Sequence, residues 1–166
     1  DWTPSAADAV TLQGDAYDGH EVQAVIAPED ISGRNLTARW SHTWAGGSTL
    51  QVQAYYDRAH RGPELFGVAL TTDTYDIDLQ HSFSLGTRNQ VVWGGGLRNT
   101  RYKIINTPSL QFAPPNRSLG LSNLFAQDTL TINSATRLTV GVKLEDDPYV
   151  SPVLLPNARL SWSPNG

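Results

Sequence analysis

Hydrophobic and polar residues alternate along this chain with a period of two, segment after segment. The cleanest run is Thr74–Phe83. Tyr75, Ile77, Leu79 and Phe83 share one parity, broken by His81, while Thr74, Asp76, Asp78, Gln80 and Ser82 take the other. Successive side chains of a strand point to opposite faces, so this run predicts a strand with one apolar and one hydrophilic face. Seven further segments read the same way. Ala9–Tyr17 sets Val10, Leu12 and Ala16 against Thr11, Gln13 and Asp15. Asn35–Trp44 sets Leu36, Ala38, Trp40 and Trp44 against Thr37, Arg39, Ser41 and Thr43. Thr49–His60 sets Leu50, Val52, Ala54 and Tyr56 against Gln51, Gln53, Tyr55 and Asp57. Gln90–Tyr102 carries Val91, Trp93 and Leu97 on one face and Arg98 on the other. Ser118–Thr131 is the least clean, because Leu124 and Phe125 fall on opposite faces. The last two segments set Leu138, Val140, Val142 and Leu144 against Thr139, Lys143 and Glu145, then Ala158, Leu160 and Trp162 against Asn157, Arg159 and Ser161.

The connections between these segments alternate in length. Ala45–Ser48, Leu85–Asn89 and Asn133–Thr136 read as tight turns, while Asp18–Arg34, Gly62–Thr72, Lys103–Arg117 and Asp146–Leu154 read as long loops, the last two with several prolines each. Short turns at one end of a meander and long loops at the other are the layout of an outer-membrane β-barrel. Strands of about ten residues suffice to cross a bilayer at a tilt near 45°. The expected fold is therefore all-β: an antiparallel, up-and-down transmembrane β-barrel segment of about eight strands.

The aromatic residues decide which face meets lipid. Trp40, Trp44, Phe83, Trp93 and Trp162 share the apolar parity near the short turns, and Tyr56 and Tyr75 share it near the long loops. Two belts separated by aliphatic residues fit the girdles of a membrane barrel. Arg39, Asp76, Asp78, Arg98, Lys143, Glu145 and Arg159 fall on the opposite parity, where charges of both signs fit a polar lumen. The competing class is a soluble β-barrel or sandwich, with its apolar face inward, that binds a small ligand or carbohydrate.

Composition narrows the picture further. The 166 residues suit one domain, and with 39% hydrophobic residues no stretch approaches the roughly 18–20 apolar residues of a membrane helix. Cysteine is absent, which removes disulfides, thiolate metal sites and cysteine nucleophiles. Methionine is absent too, and a start at Asp1-Trp2-Thr3-Pro4 reads as a processed or excised piece of something longer. The net charge of −4 argues against nucleic acid as a partner.

Several stretches resemble the barrel of bacterial TonB-dependent outer-membrane receptors: Gly33–Ser41, Ser48–Arg58, Asp73–Phe83, Leu121–Thr131, Leu138–Glu145 and Leu155–Trp162. They cover nearly the whole chain in order, with LQVQAYYDR, YDIDLQHSF, NLFAQDT and PNARLSW the most telling jointly. The resemblance implies residues 1–166 as part of a barrel of about 22 strands that holds an N-terminal plug. It implies uptake of a scarce ligand such as a ferric siderophore or cobalamin, energised through TonB. The implied partners are the rest of the barrel and the plug, TonB through that plug, lipid and lipopolysaccharide, and an extracellular small ligand. Plug, TonB box and remaining strands are missing here, so the eight strands are expected to transport nothing alone. Their open edges, about Val10–Ala16 and Ala158–Trp162, are expected to close on each other, to pair with a second copy, or to be filled in the intact receptor.

Other chemistry is weaker. His42 and His81 share the apolar parity near short turns, which suits an interface better than a metal. His20 with Asp18 and Glu21, and His60 with Arg58 and Arg61, read as solvated loop residues with ligand contact as the alternative. Asp73, Asp76 and Asp78 lack the spacing of a calcium loop. Gly94-Gly95-Gly96 precedes no helix, so it reads as a place of close approach rather than a phosphate loop. Asn35-Leu36-Thr37 and Asn116-Arg117-Ser118 match a glycosylation triplet that carries little weight. Ser41, Ser82 and Ser122 leave an outer-membrane hydrolase as a third class, without an activating partner in the pattern. No catalytic residue, metal or cofactor is expected.

Overall fold

The strands extend further along the chain than the alternating segments that predict them. The computed structural model describes residues 1–22, 28–63 and 67–163. Its elements are β1 Asp8–Glu21, β2 Glu29–Thr43, β3 Thr49–Pro63, β4 Ala69–Leu85, β5 Asn89–Ile105, β6 Asn116–Asn133, β7 Thr136–Asp147 and β8 Val150–Trp162. They form one antiparallel sheet in the order β1-β2-β3-β4-β5-β6-β7-β8. The expected eight-stranded meander is therefore present. The two end strands do not pair with each other, so the sheet is open and does not close on itself.

The loops are shorter than the sequence suggested, because the strands run on past the alternating segments. Connections 22–28, 64–68, 106–115 and 148–149 lie at one end, and 44–48, 86–88 and 134–135 at the other. The expected loop Asp146–Leu154 is corrected most: β7 continues to Asp147 and β8 starts at Val150. The Asp147 carboxylate accepts from the Tyr149 amide at 2.9 Å, an Asx turn that closes the hairpin tightly. Pro152 and Pro156 then sit within β8, which proline tolerates on a strand at a sheet edge. The central parts of the first two expected loops, 23–27 and 64–66, lie outside the described residues. At the other end, Gly47 (φ 79°) and Gly86 (φ 67°) supply the left-handed conformation that the tight turns require.

Register reveals the tilt. A row of directly opposed residues runs from Asp8 at the start of β1 through His42, Leu50, His81, Trp93, Ala126 and Val142 to Pro156. Pro156 lies six residues before the end of β8 at Trp162. A stagger of roughly 20 Å over seven interstrand steps of about 4.8 Å corresponds to a tilt of about 30°. That is close to the roughly 35–45° of membrane barrels.

No hydrophobic side chain is buried among the described residues. Leu12, Ile77, Leu97, Leu124, Leu154 and Leu160 each expose about half of their surface or more. A soluble domain of this size buries a core between two layers. Among the described residues this sheet has one layer, and no part of the protein packs on its apolar face.

Candidate functional site

Alternation sends each strand's side chains to two faces, and each face has its own chemistry. On the apolar face, opposed rows can be followed across the sheet. Leu12, Ala38, Ala54, Ile77 and Leu97 form one such row, and Val10, Trp40, Val52, Leu79, Gly95 and Leu124 the next. In β7 and β8 the apolar positions extend from Leu144 and Leu154 down to Leu138 and Trp162. The apolar band thus runs obliquely to the hydrogen-bonded rows, sinking toward the short-turn end from β1 to β8. A planar bilayer crossing tilted strands requires that obliquity.

Aromatic and imidazole rings gather at the short-turn side of this band. Ring centroids are 6.1 Å apart for Trp40–His42, 4.7 Å for His42–Trp44, 5.7 Å for Trp44–His81 and 5.2 Å for His81–Phe83. Trp93 stands 5.8 Å from His81 and donates its indole N–H to His81 Nδ1 at 3.1 Å. Asp8 anchors the other end, accepting from Trp40 Nε1 at 3.1 Å and lying 2.8 Å from His42 Nδ1. Trp2, which the sequence pattern did not single out, joins the strip by bridging Val10 on the free edge of β1. Trp162 stands apart at the end of β8, 70% exposed. Toward the long-loop side, Tyr56 and Tyr75 pack together with ring centroids 5.1 Å apart and planes tilted by 39°. Rings with a polar handle at both borders of an apolar band match side chains that prefer a lipid–water boundary.

One carboxylate breaks the band. Asp128, missed in the sequence reading, lies between Val91 and Val140 and accepts from Asn89 Nδ2 at 2.5 Å. Its other oxygen is buried with no hydrogen-bond partner among the described residues.

The polar face holds the seven charged residues singled out above, on one side of the sheet. Arg39, Gln53, Asp78, Gly96, Asn123 and Glu145 occupy a single row. Arg98 Nε donates to Asp76 at 2.7 Å, and that carboxylate is only 7% exposed. Asp76, Asp78, Arg98, Lys143 and Glu145 together line a concavity of about 260 Å³. Arg39 lies outside it and donates twice to Gln53, at 3.0 and 2.7 Å. Arg159 also lies outside it, opposite Thr139.

The glycine run fits this arrangement. A Cβ on Gly96 would collide with the Asp78 carboxylate, one on Gly94 with the Phe125 ring, and one on Gly95 with Leu124. Phe125 therefore lies over Gly94 on the polar face while Leu124 covers Gly95 on the apolar face. The conflicting parity of those two residues has its reason there.

Near the long loops, Arg61 bridges Glu29 and Glu21, the latter at 2.7 Å. The Glu29 hydrogen bond holds its guanidinium pKa above the ordinary arginine value. His20 contacts Asp30 at 3.0 Å, and His60 contacts Thr71 at 2.8 Å. Ser41 and Ser82 lie on the face opposite their neighbours His42 and His81, which sets those serines apart from those imidazoles.

No family model matches the chain. No curated protein matches it either. Among solved structures, the sheet is similar to the siderophore receptor PirA from Pseudomonas aeruginosa, with a TM-score of 0.80 at 17% sequence identity. The likeness covers 99% of this chain and 29% of that receptor's chain. The eight strands therefore have the fold of a segment of that receptor's barrel, and they span less than a third of its length.

Proposed function

We propose that these eight strands are part of the wall of a TonB-dependent outer-membrane receptor of about 22 strands, acting in uptake of a scarce ligand such as a ferric siderophore or cobalamin. One observation carries the reading. A single-layer sheet without a core bears an oblique apolar band on one face and a paired charge network on the other. Lipid covers the band, with Trp40, Trp44, Phe83, Trp93 and Trp162 toward the periplasmic border and Tyr56 and Tyr75 toward the external one. Arg39, Asp76, Asp78, Arg98, Lys143, Glu145 and Arg159 line the lumen beside plug and water. Connections 22–28, 64–68, 106–115 and 148–149 face outside the cell. The likeness to a siderophore receptor supports this assignment, and the missing core weighs against a soluble ligand-binding sandwich.

The test uses full-length protein in bacterial cells. This chain has no cysteine, so a single cysteine placed in it at Ser109 or Ser134 reports one side. A membrane-impermeant maleimide should label Ser109→Cys from outside and leave Ser134→Cys unlabelled. Cells should accumulate labelled ferric siderophore or cobalamin only while the inner membrane is energised. Equal labelling at both positions, or recovery of the protein in the soluble fraction, would overturn the reading.

A further inference from the structure

The apolar face does not end at the tyrosines. The row above Leu36, Tyr56, Tyr75 and Asn99, toward the long loops, reads Arg34, Arg58, Asp73 and Arg101. Three guanidinium groups thus share a row with one carboxylate, in a chain whose net charge is −4. Asp73 is partly committed: it accepts from Tyr56 Oη at 2.9 Å and is 3.5 Å from Arg58. Arg34 lies 6.0 Å from the Tyr56 ring centroid and Arg101 lies 5.6 Å from that of Tyr75. Both cations are thereby held against the aromatic pair. Between Arg34 and Arg58 lies a cavity of about 430 Å³, floored by Ala16, Ser32 and Gly33. The next row adds Lys103 and the acidic Asp18, so the surplus of positive charge is centred on the arginines.

We propose that Arg34, Arg58 and Arg101 form a binding site for the phosphate of a membrane lipid headgroup, with its acyl chains on the apolar band beneath. The inference rests on the membrane-barrel reading above. Arginine presents a planar fork that matches phosphate oxygens, and the tyrosine rings beside Arg34 and Arg101 help to hold two of the three forks in place. Directly below the tyrosines lie Ala38, Ala54 and Ile77, small or aliphatic residues that leave room for hydrocarbon. The occupant is thus an amphiphile, with its charge at the arginines and its chains on the band, rather than a free anion.

The experiment reconstitutes the full-length protein into phosphatidylcholine vesicles carrying a minor share of phosphatidic acid. Lipid retained on extraction is read by native mass spectrometry. The wild type should retain phosphatidic acid over phosphatidylcholine. The triple variant R34Q/R58Q/R101Q should retain roughly tenfold less, as expected for loss of charge-assisted bonds. R88Q, in a short turn, should behave as wild type. If the triple variant fails to insert, each single variant should still lower retention, and three unchanged singles would overturn the proposal. Excess inorganic phosphate should leave retention intact, and displacement by it would overturn the lipid assignment. Wild-type protein that stays out of the vesicles would sink the membrane reading itself. Protein that enters without preferring phosphatidic acid would sink only this site.

Discussion

Substituting Val142→Arg places a cation in the middle of the aliphatic run Leu138–Leu144. Its row neighbours are Ala126 and Pro156, and the side chain is 38% exposed in the sheet. Little packing within the protein is lost, and the arginine stem covers part of what the valine covered. The remaining cost is the transfer of charge to hydrocarbon, about 2–4 kcal/mol near a bilayer midplane. That corresponds to roughly 30- to 700-fold in the folding equilibrium. Leu138→Arg, nearer the border, should cost about 0–1 kcal/mol. Gln127→Arg, on the polar face, should be near neutral, about 0.5 kcal/mol or less. Urea unfolding of the full-length protein in vesicles, followed by tryptophan fluorescence, gives all three. If the apolar face met water, Val142→Arg would be as mild as Gln127→Arg. Equal midpoints for the two would show that the apolar face does not meet hydrocarbon.

Four further outcomes follow. Asp128→Asn removes a carboxylate with one unpartnered buried oxygen while keeping a partner for Asn89, and should raise stability by about 1–2 kcal/mol in the same unfolding assay. Gly96→Val fills the space of the Asp78 carboxylate and should destabilise by about 1–3 kcal/mol, with Gln80→Val as the control that does not. Arg98→Met strands the Asp76 carboxylate, and half-exposure of Arg98 limits the loss to about 1–2 kcal/mol by the same readout. The isolated 166-residue chain in liposomes should show no energised uptake of siderophore or cobalamin, and uptake by it alone would contradict the proposed role as part of a larger receptor.

What the sequence revealed followed from where side-chain environments differ most. In β2, β3 and β4 one face is largely apolar and the other polar, so parity was legible from Leu36 to Phe83. Outside the band that contrast vanishes. Asp18–Glu21 and Glu29–Arg34 are strand in the structure, yet both faces there are polar and no alternation marks them. Pro152 hid the start of β8 because proline reads as a breaker, although an edge strand admits it. Both arginine–tyrosine contacts and the Asp8 anchor join residues at least 22 positions apart through register, which no local pattern encodes. Trp2 was invisible for the same reason: only its bridge to Val10 places it in the strip.

Whether the apolar face meets lipid is tested most directly by spin-label accessibility along β4. Single cysteines at each position from Tyr75 to Phe83, in the full-length protein within vesicles, carry a nitroxide label. Labels at 75, 77, 79, 81 and 83 should be relaxed by molecular oxygen, which partitions into lipid. Labels at 76, 78, 80 and 82 should respond to oxygen weakly. The period of two should appear in that phase, strongest between Ile77 and Leu79. An inverted phase, or equal access to a water-soluble nickel chelate at every position, would contradict it.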